Sequence, residues 1–263
     1  MKRRDTDMLL AIDIGNSSID VGIFDGDALL LKTKFATVQK KCVDEYALTL
    51  NGILSLNGIS IDDIGHAVIS SVVPPLTKTI SSAVTKLTGI IPLEVGPGVK
   101  TGLRIRIDIQ NQLGSDIVAN AVAALSSHNG PIVIADIGSA TTFTVITRDG
   151  VLDGVIIAPG VRMSLDALAS YTSALPDISI ETPKRIIAKN TSESMNVGVL
   201  YGHAFMIDGF IERIREELRE ESVCAILTGG LSSVVLPYCK TDFVHDDELI
   251  LRGLNRIYQK NRK

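Results

Sequence analysis

The 263-residue chain is 45% hydrophobic and 21% charged, with a mean hydropathy of +0.27; this argues against disorder or a purely fibrous role and suits one large or two medium domains with fully buried strands. Lys and Arg number 26 against 30 Asp and Glu, a formal charge of −4, so no global basic field favours nucleic acid or an anionic membrane. Aromatic residues at 4%, with no Trp, argue against a base-stacking platform and a carbohydrate-binding module.

In chain order, Lys2, Arg3 and Arg4 resemble the start of a signal peptide, but Asp13 stops the apolar run 8–12 too soon. No later segment reaches membrane-spanning length, and the chain reads as cytoplasmic. Apolar patterning predicts strands over 9–14, 19–24, 28–35 and 66–72, with helices over 43–56 and 75–87. The run Ser-Ser-His-Asn-Gly-Pro over 126–131 is the best loop signal and marks a junction between halves 1–128 and 129–263. Strands follow over 132–137, 141–147 and 151–157, and the glycines of 154–160 lead into a helix whose N-terminus could face an anion. Asn190 and Glu193 have capping-box spacing ahead of a long helix whose core face carries Val197, Leu200, Ala204, Ile207, Ile211, Ile214 and Leu218. A strand over 223–227 and a helix from Asp246 or Asp247 to Tyr258 close the chain. Cys42, Cys224 and Cys239 match no metal-ligand spacing and read as reduced, buried or half-buried thiols. His66, His128, His203 and His245 are scattered and read as surface or loop residues, not zinc ligands.

An internal repeat organises this pattern. AIDIGNSSIDVGIFDG over 11–26 and IADIGSATTFTVITRDG over 134–150 both run an apolar strand into Asp-Ile-Gly, then small polar residues, then a second strand; Asp13 and Asp136 stand 123 residues apart. Such a turn points backbone N–H groups into a space that a phosphate oxygen can fill. Gly15 permits close approach, and Asn16, Ser17 and Ser18 add donors. The Asp13 carboxylate would repel phosphate without an intervening cation, so its functional reading is a Mg²⁺ or Mg²⁺-water contact. One such hexapeptide is also ordinary hairpin material; the near copy is what favours the phosphate reading. Leu227-Thr228-Gly229-Gly230 can lie flat on a planar ligand or simply make a tight strand-to-helix turn.

Paired phosphate hairpins in a duplicated chain resemble the acetate and sugar kinase, Hsp70 and actin superfamily. That likeness implies an α/β fold of two ribonuclease H-like (actin-like ATPase) domains, mixed sheets flanked by helices. More narrowly, the chain resembles type III pantothenate kinases, also labelled Bvg accessory factors. The likeness rests on DIGNSS, Ser70-Ser-Val-Val-Pro74, Gly96-Pro-Gly98, the run LGSDIVANAVAA from Leu113, the second hairpin, Ala158-Pro-Gly160, Lys189-Asn-Thr191, LTGG and HDDELILRGL from His245. The resemblance implies ATP-dependent phosphorylation of pantothenate, the first step toward coenzyme A, with Mg²⁺, a monovalent cation (K⁺ or NH₄⁺) and a homodimer. By the same resemblance Asp116 is the general base, with Gly114, Ser115, Ile117 and Thr191 on the acceptor side. Asp13, Gly15, Asn16, Ser17 and Ser18 serve phosphate and metal, Ser139, Gly229 and Gly230 the nucleotide, and Asp136 the monovalent cation. Asp116 can equally be a first-turn helix acid, and Thr191 a capping neighbour of Asn190.

Departures from the family gather on the acceptor side. The usual Gly-Ala-Asp-Arg is Gly114-Ser115-Asp116-Ile117, and the usual Tyr-x-Asn-Pro is Ile107-Asp108-Ile109-Gln110; an aspartate frequent after Thr-Thr-Phe is Thr144. An aliphatic side chain cannot donate hydrogen bonds, so a bidentate contact to the acceptor is lost at Ile117. Three readings follow. The leading one is a pantothenate kinase with a rebuilt pocket, Arg104 or Arg106 supplying the cation; the others are a paralogue acting on another small alcohol and a nucleotide-binding regulatory protein without turnover.

Overall fold

A computed structural model describes residues 7–108 and 113–262, so the readings placed on Lys2, Arg3, Arg4, Ile109 and Gln110 lie outside the described residues. The chain divides into two compact units, Met1–Gly102, Asn111–Ala123 and Glu248–Lys263 in the first, Leu103–Gln110 and Ala124–Asp247 in the second. Compared with a single junction after 128, the last helix belongs to the first unit, and a short segment ahead of residue 111 joins the second.

In the first unit, β1 (Met8–Ile14), β2 (Ser18–Asp25), β3 (Ala28–Ala36), β4 (Ile64–Ser71) and β5 (Leu93–Glu94) form a sheet of order β3-β2-β1-β4-β5. β1–β2 and β2–β3 are antiparallel, and β1–β4 and β4–β5 are parallel. Because strand side chains alternate faces, Leu10, Ile12 and Ile14 enter the core with Tyr46, Leu50 and Leu54 of α1 (Val43–Leu56) and Leu76, Ile80 and Val84 of α2 (Pro74–Thr88). Leu9, Ala11 and Asp13 point the other way. On that side lie α3 (Ser115–Ser127), whose first nine residues belong to this unit, and α7 (Leu249–Asn261), with Leu251 against Gly22 and Gly253 crossing Ala119 so closely that a Cβ would overlap its backbone. Pro74 opens α2 at a position where its missing N–H costs nothing, and Gly89 ends it in the left-handed conformation.

The second unit repeats the plan. β7 (Ile132–Ile137), β8 (Ala140–Ile146), β9 (Val151–Pro159), β10 (Cys224–Thr228) and β11 (Val244–His245) stand in the order β9-β8-β7-β10-β11, with β6 (Arg104–Ile105) added beside β9. This is the same meander-plus-parallel arrangement, so the fold is a duplicated ribonuclease H-like α/β fold of the actin-like ATPase kind. Val133, Ala135 and Ile137 pack with Val161 and Leu165 of α4 (Val161–Tyr171), with Leu200, Ala204 and Ile207 of α5 (Thr191–Leu218), and with Val235 of α6 (Ser232–Val235). Among the described residues no helix is long and apolar enough to cross a membrane.

Three local expectations are corrected. Asn190 caps α5 through Glu193 N–H at 2.9 Å, but the Glu193 carboxylate accepts from Lys184 N–H at 3.2 Å and Asn190 Nδ2 at 3.5 Å, so the reciprocal half of the box is absent from these contacts. His203 is a buried helix residue, not a surface or loop one: its Nδ1 lies 2.8 Å from Val199 O and its Nε2 3.0 Å from Pro159 O. Cys42 is exposed as the N-cap of α1, whereas Cys224 and Cys239 are half-buried, and burial assisted by Asp208 pushes the Cys239 thiol up to about 12.

Candidate active site

In the first unit the chain reverses through Gly15, Asn16 and Ser17, closed by Gly15 N–H donating to Ser18 O at 3.0 Å. Thr37 ties this turn to the end of β3, its hydroxyl donating to Gly15 O at 2.7 Å and its N–H to Ser17 O at 3.1 Å. Asn16 and Ser17 are exposed at the tip, and half-buried Asp13 stands at its base. Two residues face Asp13 from neighbouring strands, Asp20 on β2 and Ser70 on β4.

Ser70 connects the hairpin to α3. Its hydroxyl lies 2.8 Å from Ser115 Oγ, which also accepts from Ser71 N–H at 3.0 Å and lies 3.1 Å from Ser71 O. Three contacts at its first residue therefore fix where α3 begins, and Asp116 follows. The Asp116 carboxylate folds back over Gly114, where a Cβ would overlap Oδ1, and Oδ1 accepts from Ile117 N–H at 2.8 Å. Burial pushes the Asp116 carboxyl up, opposed by the backbone N–H groups of Ile117 and of Asp116 itself. The first unit thus gathers Asp13, Gly15, Asn16, Ser17, Ser18, Gly114, Ser115 and Asp116 around one end of β1 and β4. The Ile117 side chain is only 8% exposed.

Asp20 escaped the reading of the sequence. Burial pushes its carboxyl up as well, opposed by Lys34, the Ser18 hydroxyl and Lys32. The signal was available, since an acidic residue interrupts the apolar strand SIDVGIFD on the face that Asp13 occupies.

The second hairpin is one residue shorter, turning through Gly138 and Ser139 with Gly138 N–H donating to Ala140 O at 3.1 Å. Glycines enclose it on two sides. A Cβ on Gly229, whose φ is +97°, would overlap Asp136 Oδ1 and stand 2.5 Å from Ile137 N; a Cβ on Gly160 would overlap Ser139 O and stand 2.7 Å from Gly138 O. Leu231 N–H donates to Ile137 O at 3.1 Å, completing the attachment of the Gly229-Gly230 turn to β7. Asp136, Ser139, Gly160, Gly229 and Gly230 therefore form one cluster. Thr191 is the exposed first residue of α5, beside its cap Asn190. Thr144 lies buried within β8.

Arg104 and Arg106 already hold partners in the second unit. Arg106 makes a bidentate pair with Asp153 at 2.5 and 2.7 Å, and Arg104 bonds Asp149 O. At Gly160 and Gly229 the space a Cβ would take is filled by the second hairpin and β7 themselves, so these glycines serve close backbone packing, while the tip of the first hairpin leaves Asn16 and Ser17 exposed, where a phosphorylated ligand can approach.

The type III pantothenate kinase family model matches residues 9–213. The type III pantothenate kinase of Geobacter sulfurreducens is 39% identical over 256 residues, covering 97% of this chain and 100% of that protein; the one from Geotalea daltonii is 40% identical over the same shares. Among solved structures, the (R)-2-hydroxyglutaryl-CoA dehydratase component A of Acidaminococcus fermentans shares the fold, with a TM-score of 0.54 and 14% identity over 98% of this chain and 100% of its own. With its family model, its full-length relatives and its duplicated fold in agreement, this chain belongs to the type III pantothenate kinase family.

Proposed function

We infer that the chain is a kinase that phosphorylates pantothenate with ATP to give 4'-phosphopantothenate, the first step of coenzyme A biosynthesis. The observation that carries this reading, within a full-length family match, is the Asp116 carboxylate, seated at the start of α3 by Ser115 and raised by burial. An alkanol holds its proton tightly, and a carboxylate of raised pKa is a stronger acceptor for it. Asp116 takes the hydroxyl proton as the oxygen–phosphorus bond forms and the bond to the departing ADP breaks. Phosphoryl transfer asks little covalent chemistry of the protein, so the remaining residues position groups and balance charge.

Gly15, Asn16, Ser17 and Ser18 hold phosphate oxygens at the first hairpin, and Ser139, Gly229 and Gly230 hold the nucleotide at the second. Asp13, at the base of the first hairpin, would hold Mg²⁺ directly or through water, and Asp136, at the base of the second, would hold a monovalent cation, K⁺ or NH₄⁺. When bound, these cations neutralise charge on the transferring phosphoryl group. Gly114, Ser115, Ile117 and Thr191 border the acceptor, and a homodimer completes the proposal.

Ile117 favours a second reading, a kinase for another small alcohol, because its buried side chain donates nothing to a carboxylate and Arg104 and Arg106 are paired elsewhere. ADP release measured with ATP, Mg²⁺ and K⁺, with and without pantothenate, separates the two. Turnover that requires pantothenate and yields its phosphate ester supports the first reading. Turnover only with a different alcohol supports the second, and ATP binding without any turnover contradicts both.

A further inference from the structure

The Gly229-Gly230 turn is held from its carbonyl side by Ser232, whose N–H donates to Gly229 O at 3.1 Å, and by a side-chain relay from Ser232 to His245, two residues given no role above. Ser232, 1% exposed, sets its Oγ 2.7 Å from Gly229 O and 2.8 Å from His245 Nε2. A hydroxyl has one proton and a carbonyl oxygen none, so the Ser232 proton lies on Gly229 O and His245 Nε2 carries the N–H that Oγ accepts. The direction of both hydrogen bonds is thereby fixed. His245 itself is placed by β11, where it pairs with Leu227 of β10 and the next residue, Asp246, donates its N–H to Leu227 O at 2.9 Å. The ring thus hangs from a strand bonded to the one that ends beside Gly229.

This matters because the peptide between two glycines is easily turned over when one of them has positive φ. In a trans peptide the C=O and the following N–H point in opposite directions. Fixing Gly229 O toward Ser232 therefore aims Gly230 N–H the other way, on a turn whose Gly229 is pressed against Asp136.

We propose that His245 is a positioning residue for the nucleotide, acting through Ser232 to fix the peptide plane of Gly229 and Gly230. The proposal rests on the reading that these glycines adjoin the nucleotide. His245 is exposed, so its replacement leaves the core untouched.

The test uses the full chain, with ATP titrated calorimetrically and steady-state kinetics run on His245→Ala, Ser232→Ala, the double variant and His245→Gln, whose amide restores a donor at similar reach. Both alanine variants should raise the ATP Kd and KM about three- to tenfold, the size of one lost hydrogen bond, while kcat and the pantothenate KM move less than about twofold. The double variant should bind no more weakly than Ser232→Ala, because the two residues act in series. His245→Gln should return to within about twofold of the parent. ATP affinity unchanged in His245→Ala overturns the proposal alone, as does a parallel rise in the pantothenate KM, which marks a general structural role. A parent protein that binds no ATP overturns the nucleotide reading itself.

Discussion

Gly229→Ala is the substitution whose cost the structure defines most closely. At φ +97° a non-glycine residue is strained by about 1–2 kcal/mol. The new methyl would also overlap Asp136 Oδ1 and lie 2.5 Å from Ile137 N and 2.7 Å from Ile137 C. That backbone belongs to β7, bonded to β8 on one side and β10 on the other, so it cannot move away without breaking a ladder. Overpacking of this kind costs about 1–3 kcal/mol, and the two effects together give roughly 2–5 kcal/mol. For a protein of this size the melting temperature should fall by roughly 5–15 °C. ATP binding should weaken at the same time, because the displaced carboxylate is Asp136. Gly198→Ala is the control: it sits in α5 with nothing within 4 Å of a new Cβ, and its gain in helix propensity should stabilise by about 1 kcal/mol. Thermal melting followed by circular dichroism, with ATP titration, measures both. A Gly229→Ala protein that melts within about 2 °C of the parent would refute the close packing of the glycine turn on β7.

Other outcomes follow from the same geometry. Gly160→Ala, whose Cβ would overlap Ser139 O, should destabilise by about 1–3 kcal/mol in a melting experiment, since the obstacle is again backbone. Ser115→Ala removes the contacts to Ser70 Oγ, Ser71 N and Ser71 O; chemical denaturation should show a loss of about 1–2 kcal/mol, and kcat should fall as Asp116 loses its placement. Asp116→Asn should melt higher than the parent at pH 7. Burial raises the Asp116 carboxyl, so its contribution to stability is full below the unfolded-state value and lost as pH rises through the folded one. The neutral amide escapes that loss, and the two melting curves should converge below about pH 4. Equal melting temperatures at both pH values would contradict the burial of this carboxylate.

Short-range signals made much of this fold legible. The Asp-Ile-Gly turns at 13–15 and 136–138 announced both hairpins, and the Asn190 cap with a stripe of period 3.6 located α5. Long-range pairing was not legible in the same way. Nothing in the sequence of α7 says that Leu251 meets Gly22 or that Asn255 bonds Gly26 O, so the return of the last helix to the first unit could be read only from packing. Ser115 is similar: its partners Ser70 and Ser71 are 45 and 44 residues away. His203 was legible in principle, because it is three residues after Leu200 on the buried stripe of α5, but a polar side chain adds nothing to an apolar periodicity. Loss of a donor at Ile117 was visible in the residue itself, but the pairing of Arg104 with Asp149 and Arg106 with Asp153 depended on β6 joining β9.

The central claim is that Asp116 accepts a proton from pantothenate in an ATP-dependent phosphoryl transfer, and the kcat of Asp116→Asn tests it most directly. The account predicts a fall of at least about 100-fold with ATP affinity unchanged. Activity retained within about tenfold of the parent would contradict it.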